Sequence, residues 1–396
     1  LVDGFERDLN EINVEDIETF TVLKDASATA IYGSRGANGV VLVTTKHGKE
    51  GKIKINAKVE GSYNTRTKTP KLVDGLTYAT MMNEALISRN QEPAYSESQL
   101  HLIATGLDQD LYPNVNWMDM LLKKGSPTFR ANLDISGGGG LVRYYISGSF
   151  VEEDGMYKVD KTMKDYDTNA NYRRWNYRMN ADINVTGSTL LSVGVSGSLD
   201  KQNLPGTGYN YIWKSLLEQN PVSIPPIYSN GYYSARGEGE KQNPWVLITQ
   251  HGYSQVWKNR NQITLNLDQR LDFITKGLLF RSRFGYDTNN HNTNTHSRRP
   301  AAWLAERSRD SYGNLIMKKI VDEQTMTTEP HSYGKQKQTF ESEIHYNRNF
   351  NGHNVTGILK YSADQTSDTS ENPNRDYMQA IDRRHQGLAG NLSYGY

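Results

Sequence analysis

The sequence predicts a transmembrane antiparallel β-barrel, present as about ten strands, with a small α+β unit ahead of it. Three observations point there: a polar composition that is rich in aromatics, ten segments that alternate apolar and polar residues, and connections that alternate short and long. Only 36% of the 396 residues are apolar, below the ~45–50% of an ordinary globular chain. Disordered chains are as polar, but they lack aromatics; this one has 25 Tyr, 9 Phe and 6 Trp. A barrel with one face in lipid and the other lining a wet lumen accounts for both facts.

The first 48 residues read as the small unit. Val14–Lys24 combines acidic turn residues with a strand. Asp25–Tyr32 is a short helix, with Asp25 as N-cap and Ala26, Ala28 and Ala30 as helix formers. Val40–Thr45 is a β-branched run suited to a buried strand. Gly33, Gly36 and Gly39 lie between the helix and that strand. A phosphate-cradling loop would need a Lys-Ser/Thr pair and a following helix. Neither is present, so a tight turn that needs positive φ is the better reading.

Residues 49–396 carry the strands. The clearest is Tyr177–Thr186, where Tyr177, Met179, Ala181, Ile183 and Val185 oppose Arg178, Asn180, Asp182, Asn184 and Thr186. Its neighbour sets Leu191, Val193, Val195 and Leu199 against Ser192, Ser196 and Ser198, with Gly187 and Ser188 as the turn. The other eight are Lys52–Tyr63, Thr128–Gly137, Leu141–Val151, Gln262–Phe273, Leu278–Asp287, Thr339–Phe350, Asn354–Tyr361 and Gln386–Tyr396. Short turns fall at Gly137–Gly140, Gly187–Ser188, Ile274–Gly277 and Asn351–His353. Long connections fall at 64–127, 152–172, 201–260, 288–337 and 362–385. Outer-membrane barrels alternate short periplasmic turns with long extracellular loops in this way. A soluble two-sheet sandwich also alternates its faces. Charges such as Asp182, Asp268, Arg270, Arg281 and Arg283 on the polar face favour a water-filled interior instead.

Other function classes find little support. The net charge of +1 gives no basis for nucleic-acid binding. Without cysteine there is neither a disulfide framework nor thiolate chemistry. The nine histidines, His291 and His296 among them, read as solvated loop residues without metal spacing. Glu341 and Glu343 share a strand face and read as lumen-lining, since no partner strand can be named for a glycosidase pair. No Gly-x-Ser-x-Gly elbow is present. The 201–260 connection is aromatic, and Trp213, Tyr228, Tyr232, Tyr233 and Trp245 are its candidates for contact with a substrate or partner. The alternative is that this loop packs on itself.

The run Val22–Gly51 closely resembles the end of the plug in the SusC/RagA family of TonB-linked outer-membrane proteins. The positions that carry the resemblance are Val22, Leu23, Lys24, Asp25, Tyr32, Gly33, Ser34, Arg35, Gly36, Ala37, Asn38, Gly39, Val40–Val43, Thr44, Thr45 and Lys46. Within it, Lys24, Asp25, Tyr32, Gly33, Arg35, Gly36, Asn38 and Gly39 form a structural signature. Val2-Asp3-Gly4 and Asp16-Ile17 upstream, and Tyr112–Trp117, Ser136–Gly138 and Tyr144–Gly148 downstream, are also similar to the family. From about residue 200 onward only barrel periodicity remains.

The resemblance implies residues 1–48 as the C-terminal part of a plug and 49–396 as the first part of a barrel of about 22 strands. It implies TonB-dependent import of oligosaccharides or oligopeptides across the outer membrane of a Gram-negative bacterium. With no nucleophile or carboxylate pair evident, neither enzyme activity nor a cofactor is expected. The implied partners are the TonB–ExbB–ExbD complex, a SusD-like surface lipoprotein and outer-membrane lipid. Two rivals stand beside this reading: a surface receptor or adhesin barrel, which would need no plug, and an outer-membrane barrel enzyme, which would need a nucleophile or carboxylate pair that the sequence does not show. Leu1 and Tyr396 both read as cuts in a longer chain, so a curved open sheet is expected, with the plug segment on its concave face.

Overall fold

A computed structural model describes residues 1–24, 39–163, 165–368 and 381–396. At the N-terminus a 3-10 turn, Val14–Asp16, is capped by the Asn13 side chain. It leads into β1 (Ile17–Leu23), which pairs antiparallel with β2 (Val40–Thr45). Val2, Ile12 and Val43 are the buried centre of this unit. Lys24 directly follows β1, and Gly39 precedes β2 with φ +93°. The expected Asp25–Tyr32 helix, and with it Asp25, Tyr32, Gly33, Arg35, Gly36 and Asn38, lies outside the described residues.

Ten strands form one antiparallel sheet. They are β3 (Gly51–Thr65), β4 (Gly125–Gly138), β5 (Val142–Asp154), β6 (Asn171–Asn184), β7 (Thr189–Pro205), β9 (Gly252–Arg270), β10 (Leu278–Arg299), β13 (Gln324–Phe350), β14 (His353–Asp368) and β15 (Arg383–Gly395). Each pairs with its neighbour in chain order, and β3 and β15 stand at the two ends of the sheet. This is the open sheet expected, with all ten predicted segments in it. The turn after β13 shows how local chemistry sets register. Asn351 (φ +48°) and Gly352 (φ +98°) form a two-residue loop of the kind that matches strand twist.

The apolar parity faces outward. Ile55, Leu133, Ile146, Met179, Leu265, Ile344, Leu359 and Leu392 are all exposed. On β6 the outward apolar positions run from Trp175 to Ile183 and continue to Val185. At roughly 3.3 Å per residue and a tilt of about 40°, ten residues make a belt about 25 Å tall, a membrane thickness. The ladder Phe129–Phe150–Trp175, with centroid spacings of 6.3 and 5.4 Å, lies toward the end of that belt that carries the long connections.

Two expectations need correction. Residues 288–337 are not a loop, because β10 runs on to Arg299 and β13 begins at Gln324. Past the belt both faces of these strands are wet, so the backbone ladder continues without apolar alternation and the sequence signal disappears. For the same reason His291 and His296 are strand residues of β10, and His331, His345, His353 and His385 lie in β13, β14 and β15.

The remaining long connections build a cap. It contains α1 (Gly75–Ile87), α2 (Glu97–Thr105), α3 (Trp117–Leu121), α4 (Tyr209–Glu218) and α5 (Pro244–Thr249). A small sheet of β8 (Tyr233–Ser234), β11 (Ala302–Arg309) and β12 (Leu315–Val321) joins them. The sequence carries local reasons for the helices. Asp74 caps α1, and Ser96 with Gln99 forms a capping box on α2. Trp117, Leu121, Ile212, Leu216, Leu247 and Ile248 are buried together, so the β3–β4 and β7–β9 connections share one core.

Candidate functional site

The N-terminal unit lies against the polar face of the sheet, and the contact is made of charges. Asp16, 3% exposed, accepts from the Tyr145 hydroxyl at 2.9 Å and from Ser147 Oγ at 2.6 Å. The buried Arg178 guanidinium lies 3.4 Å from Asp16 and 3.8 Å from Asp3. Asn180 donates to Thr45 Oγ1 and to the Lys46 carbonyl. His47 Nδ1 is 2.9 Å from Asp182 Oδ2, and Ser192 donates to the other oxygen of the same carboxylate. Arg7 forms a bidentate pair with Asp287, the closer contact at 2.6 Å. Glu11 meets Arg260 at 3.2 Å and Gln262 at 3.0 Å.

These partners come from strands across most of the sheet. Lys58 on β3 reaches Glu15, Asn132 on β4 reaches Asn13, and Lys337 on β13 reaches Glu6. One unit of fewer than fifty residues can touch strands so far apart only if the sheet curls around it. The fit is close at Gly285, where an added Cβ would meet the Phe5 ring at 2.7 Å.

Electrostatics follow from this burial. The Asp182 carboxylate beside His47 raises the imidazole pKa, outweighing the cost of burial. Burial raises the Glu11 carboxyl, with Arg260 opposing it. Lys58 bonded to Glu15 lowers that carboxyl. Between the unit and the wall, Asp3, His47, Asn266, Asp268, Arg281 and Arg283 line a cleft of about 560 Å³. Across the lumen wall Glu341 and Glu343 are both held by Lys360, at 2.8 and 3.2 Å, and Arg283 lies 3.4 Å from Glu341. The two carboxylates are therefore locked into ion pairs, which suits a polar lining.

The aromatic candidates separate by burial. Tyr228 is 3% exposed, and Trp245 lies in the core of the cap. Burial pushes the Tyr228 hydroxyl up, and that oxygen accepts from the Ala305 amide at 3.0 Å. Trp213 packs against the same core and Tyr233 against a smaller one. Tyr232 is exposed and stacks on Trp303, centroids 5.0 Å apart. Sequence reasoning missed Arg7, Glu11 and His47 as seam residues. Their partners are remote in sequence, and only the lumen parity of Arg178, Asn180 and Asp182 hinted at them.

The comparisons agree with this geometry. The model for the TonB-dependent Receptor Plug Domain matches residues 1–40. TonB-dependent receptor P3 of Formosa agariphila is 28% identical over 88% of this chain and 30% of its own length. TonB-dependent receptor SusC of Bacteroides thetaiotaomicron is 33% identical over 45% of this chain and 15% of its own length. The solved structure of the RagAB peptide transporter covers the whole of this chain with a TM-score of 0.69 at 18% identity.

The chain is similar to SusC/RagA-like TonB-dependent receptors, and its first forty residues match their plug domain. It spans about 30% of the length of the P3 relative and about 46% of the RagAB chain. The charged seam is where the plug segment meets the barrel wall.

Proposed function

We propose that this chain belongs to an importer that carries oligosaccharides or oligopeptides across the outer membrane of a Gram-negative bacterium, powered by TonB–ExbB–ExbD. In this reading residues 1–48 end the plug and residues 49–396 begin the barrel. The observation that carries it is the seam. Plug and wall meet through ion pairs and hydrogen bonds rather than a dry apolar core. Such contacts can be exchanged for water at small net cost, so a pull on the plug could free it. The receptor or adhesin rival gives the plug no role. A SusD-like lipoprotein at the extracellular mouth fits the cap, which exposes Leu72, Val73, Leu76, Met81 and Ile87. The RagAB relative, a peptide transporter, supports a peptide cargo, and the SusC likeness leaves glycan equally open.

The test is uptake of labelled oligomers by cells carrying the full-length receptor. Import should stop when TonB is deleted or the receptor is removed. Undiminished uptake without TonB would sink the proposal.

A further inference from the structure

We propose that the extracellular end of the lumen holds a carboxylate-binding cleft formed by Arg298, Arg299 and His251, which receives an acidic end or side group of the incoming oligomer. This rests on the import reading and deepens it. The cleft measures about 610 Å³ and lies where β7, β9, β10 and β13 end. Ser297, Arg299 and Thr327 line it and share the parity of lumen residues such as Arg283 and Glu341, and Thr325 lines it at the register shift.

Local backbone geometry assembles it. Gly252 has φ +86°, and an added Cβ would sit 1.9 Å from the His296 carbonyl oxygen. Only glycine fits, and this close approach brings His251 against β10, where its carbonyl accepts from the Arg298 amide. The register shifts between Ser297 and Arg299, where β13 advances three residues against two on β10, and both arginines line the cleft.

The donors are left open. His251 Nε2 is buried and has no hydrogen-bond partner. Burial and the two guanidiniums hold the ring at a pKa of about 4, so it is neutral at pH 7 and can offer an N–H. Arg299 spends its Nε on the Asp322 carbonyl, 3.3 Å away, leaving its terminal nitrogens. Among the described residues no carboxylate forms an ion pair with Arg298 or Arg299. Of the nearby acids, Asp322 is bound to Lys319, Asp160 accepts from Gln250, and Glu323 lies on the cleft wall.

Two guanidiniums and one acid leave a net charge of about +1, which suits a monoanion better than a phosphate dianion. A planar guanidinium fork matches a carboxylate in bidentate geometry. Two sources supply that group: the C-terminus of a peptide and a uronic acid in a glycan.

The experiment uses the full-length receptor in detergent and measures binding of four probes. These are a hexapeptide with a free C-terminus, its C-amide, an oligogalacturonate and its methyl ester. One free acid should bind at least about tenfold more tightly than its blocked form, the worth of one charge-assisted contact. Which acid does so identifies the source. In Arg298→Gln/Arg299→Gln that preference should vanish while the blocked form binds as before. His251→Phe should reduce it. Equal affinity for free and blocked probes, or no binding of either acid, would overturn the cleft. If blocked oligomers were still imported through TonB, the import reading would survive that result.

Discussion

Asp16 of the plug and Tyr145 of the barrel wall meet at 2.9 Å inside the lumen, both almost wholly buried. Ser147 and Arg178 complete the same carboxylate's surroundings. Replacing Asp16 with Ala would leave the buried Arg178 short of its main counter-charge. A buried pair broken on one side typically costs about 3–5 kcal/mol. The plug of the full-length receptor should then become sensitive to limited proteolysis, and cells should admit large antibiotics. Unchanged protease resistance would show that Asp16 does not hold the plug.

His47 makes the seam sensitive to pH. Its pKa is raised in the folded state, chiefly by the hydrogen bond with Asp182. The stabilisation is therefore complete below the ordinary histidine value of about 6.5 and fades as pH rises through the raised value. Plug protection followed by hydrogen exchange should weaken from mildly acidic to mildly alkaline pH. In His47→Gln that slope should flatten. Superimposable profiles would exclude His47 as its source.

The outward parity predicts an asymmetry between adjacent residues. Val193 faces the membrane, while Ser192 lines the cleft beside the plug. An Arg near the bilayer midplane costs about 2–4 kcal/mol. Folding yield should drop for Val193→Arg and far less for Ser192→Arg, read from band shifts on unheated gels. Equal yields would overturn the facing assigned to β7.

Topology can be read on intact cells. Tyr312, at the tip between β11 and β12, is 89% exposed. Tyr312→Cys should react with an impermeant thiol reagent, and Ser188→Cys at the opposite end should not. The reverse pattern would invert the barrel.

Much of the barrel was legible because strand alternation is a local property. Inside the membrane one face must be apolar and the other wet, so Tyr177–Thr186 shows its facing directly. Where β10 and β13 leave the bilayer, that demand ends, and residues 288–337 looked like a loop although the ladder continues. The cap helices were also written locally, in Asp74 and in the Ser96–Gln99 box, but long polar connections masked them. The aromatics Tyr228 and Trp245 were visible as a cluster. Which rings are interior depended on α3, from one connection, meeting α4 and α5 from another.

By itself the sequence determined the ten strands, their two faces and the kinship of the plug segment, since each rests on patterns within a few dozen residues. The tertiary structure alone decided which charges meet. Asp16 with Arg178, His47 with Asp182, and Arg7 with Asp287 are separated by more than a hundred residues, and His251 reaches Arg298 through one glycine's positive φ. Pairing at such distances depends on how the sheet curls around the plug, and no local periodicity encodes that.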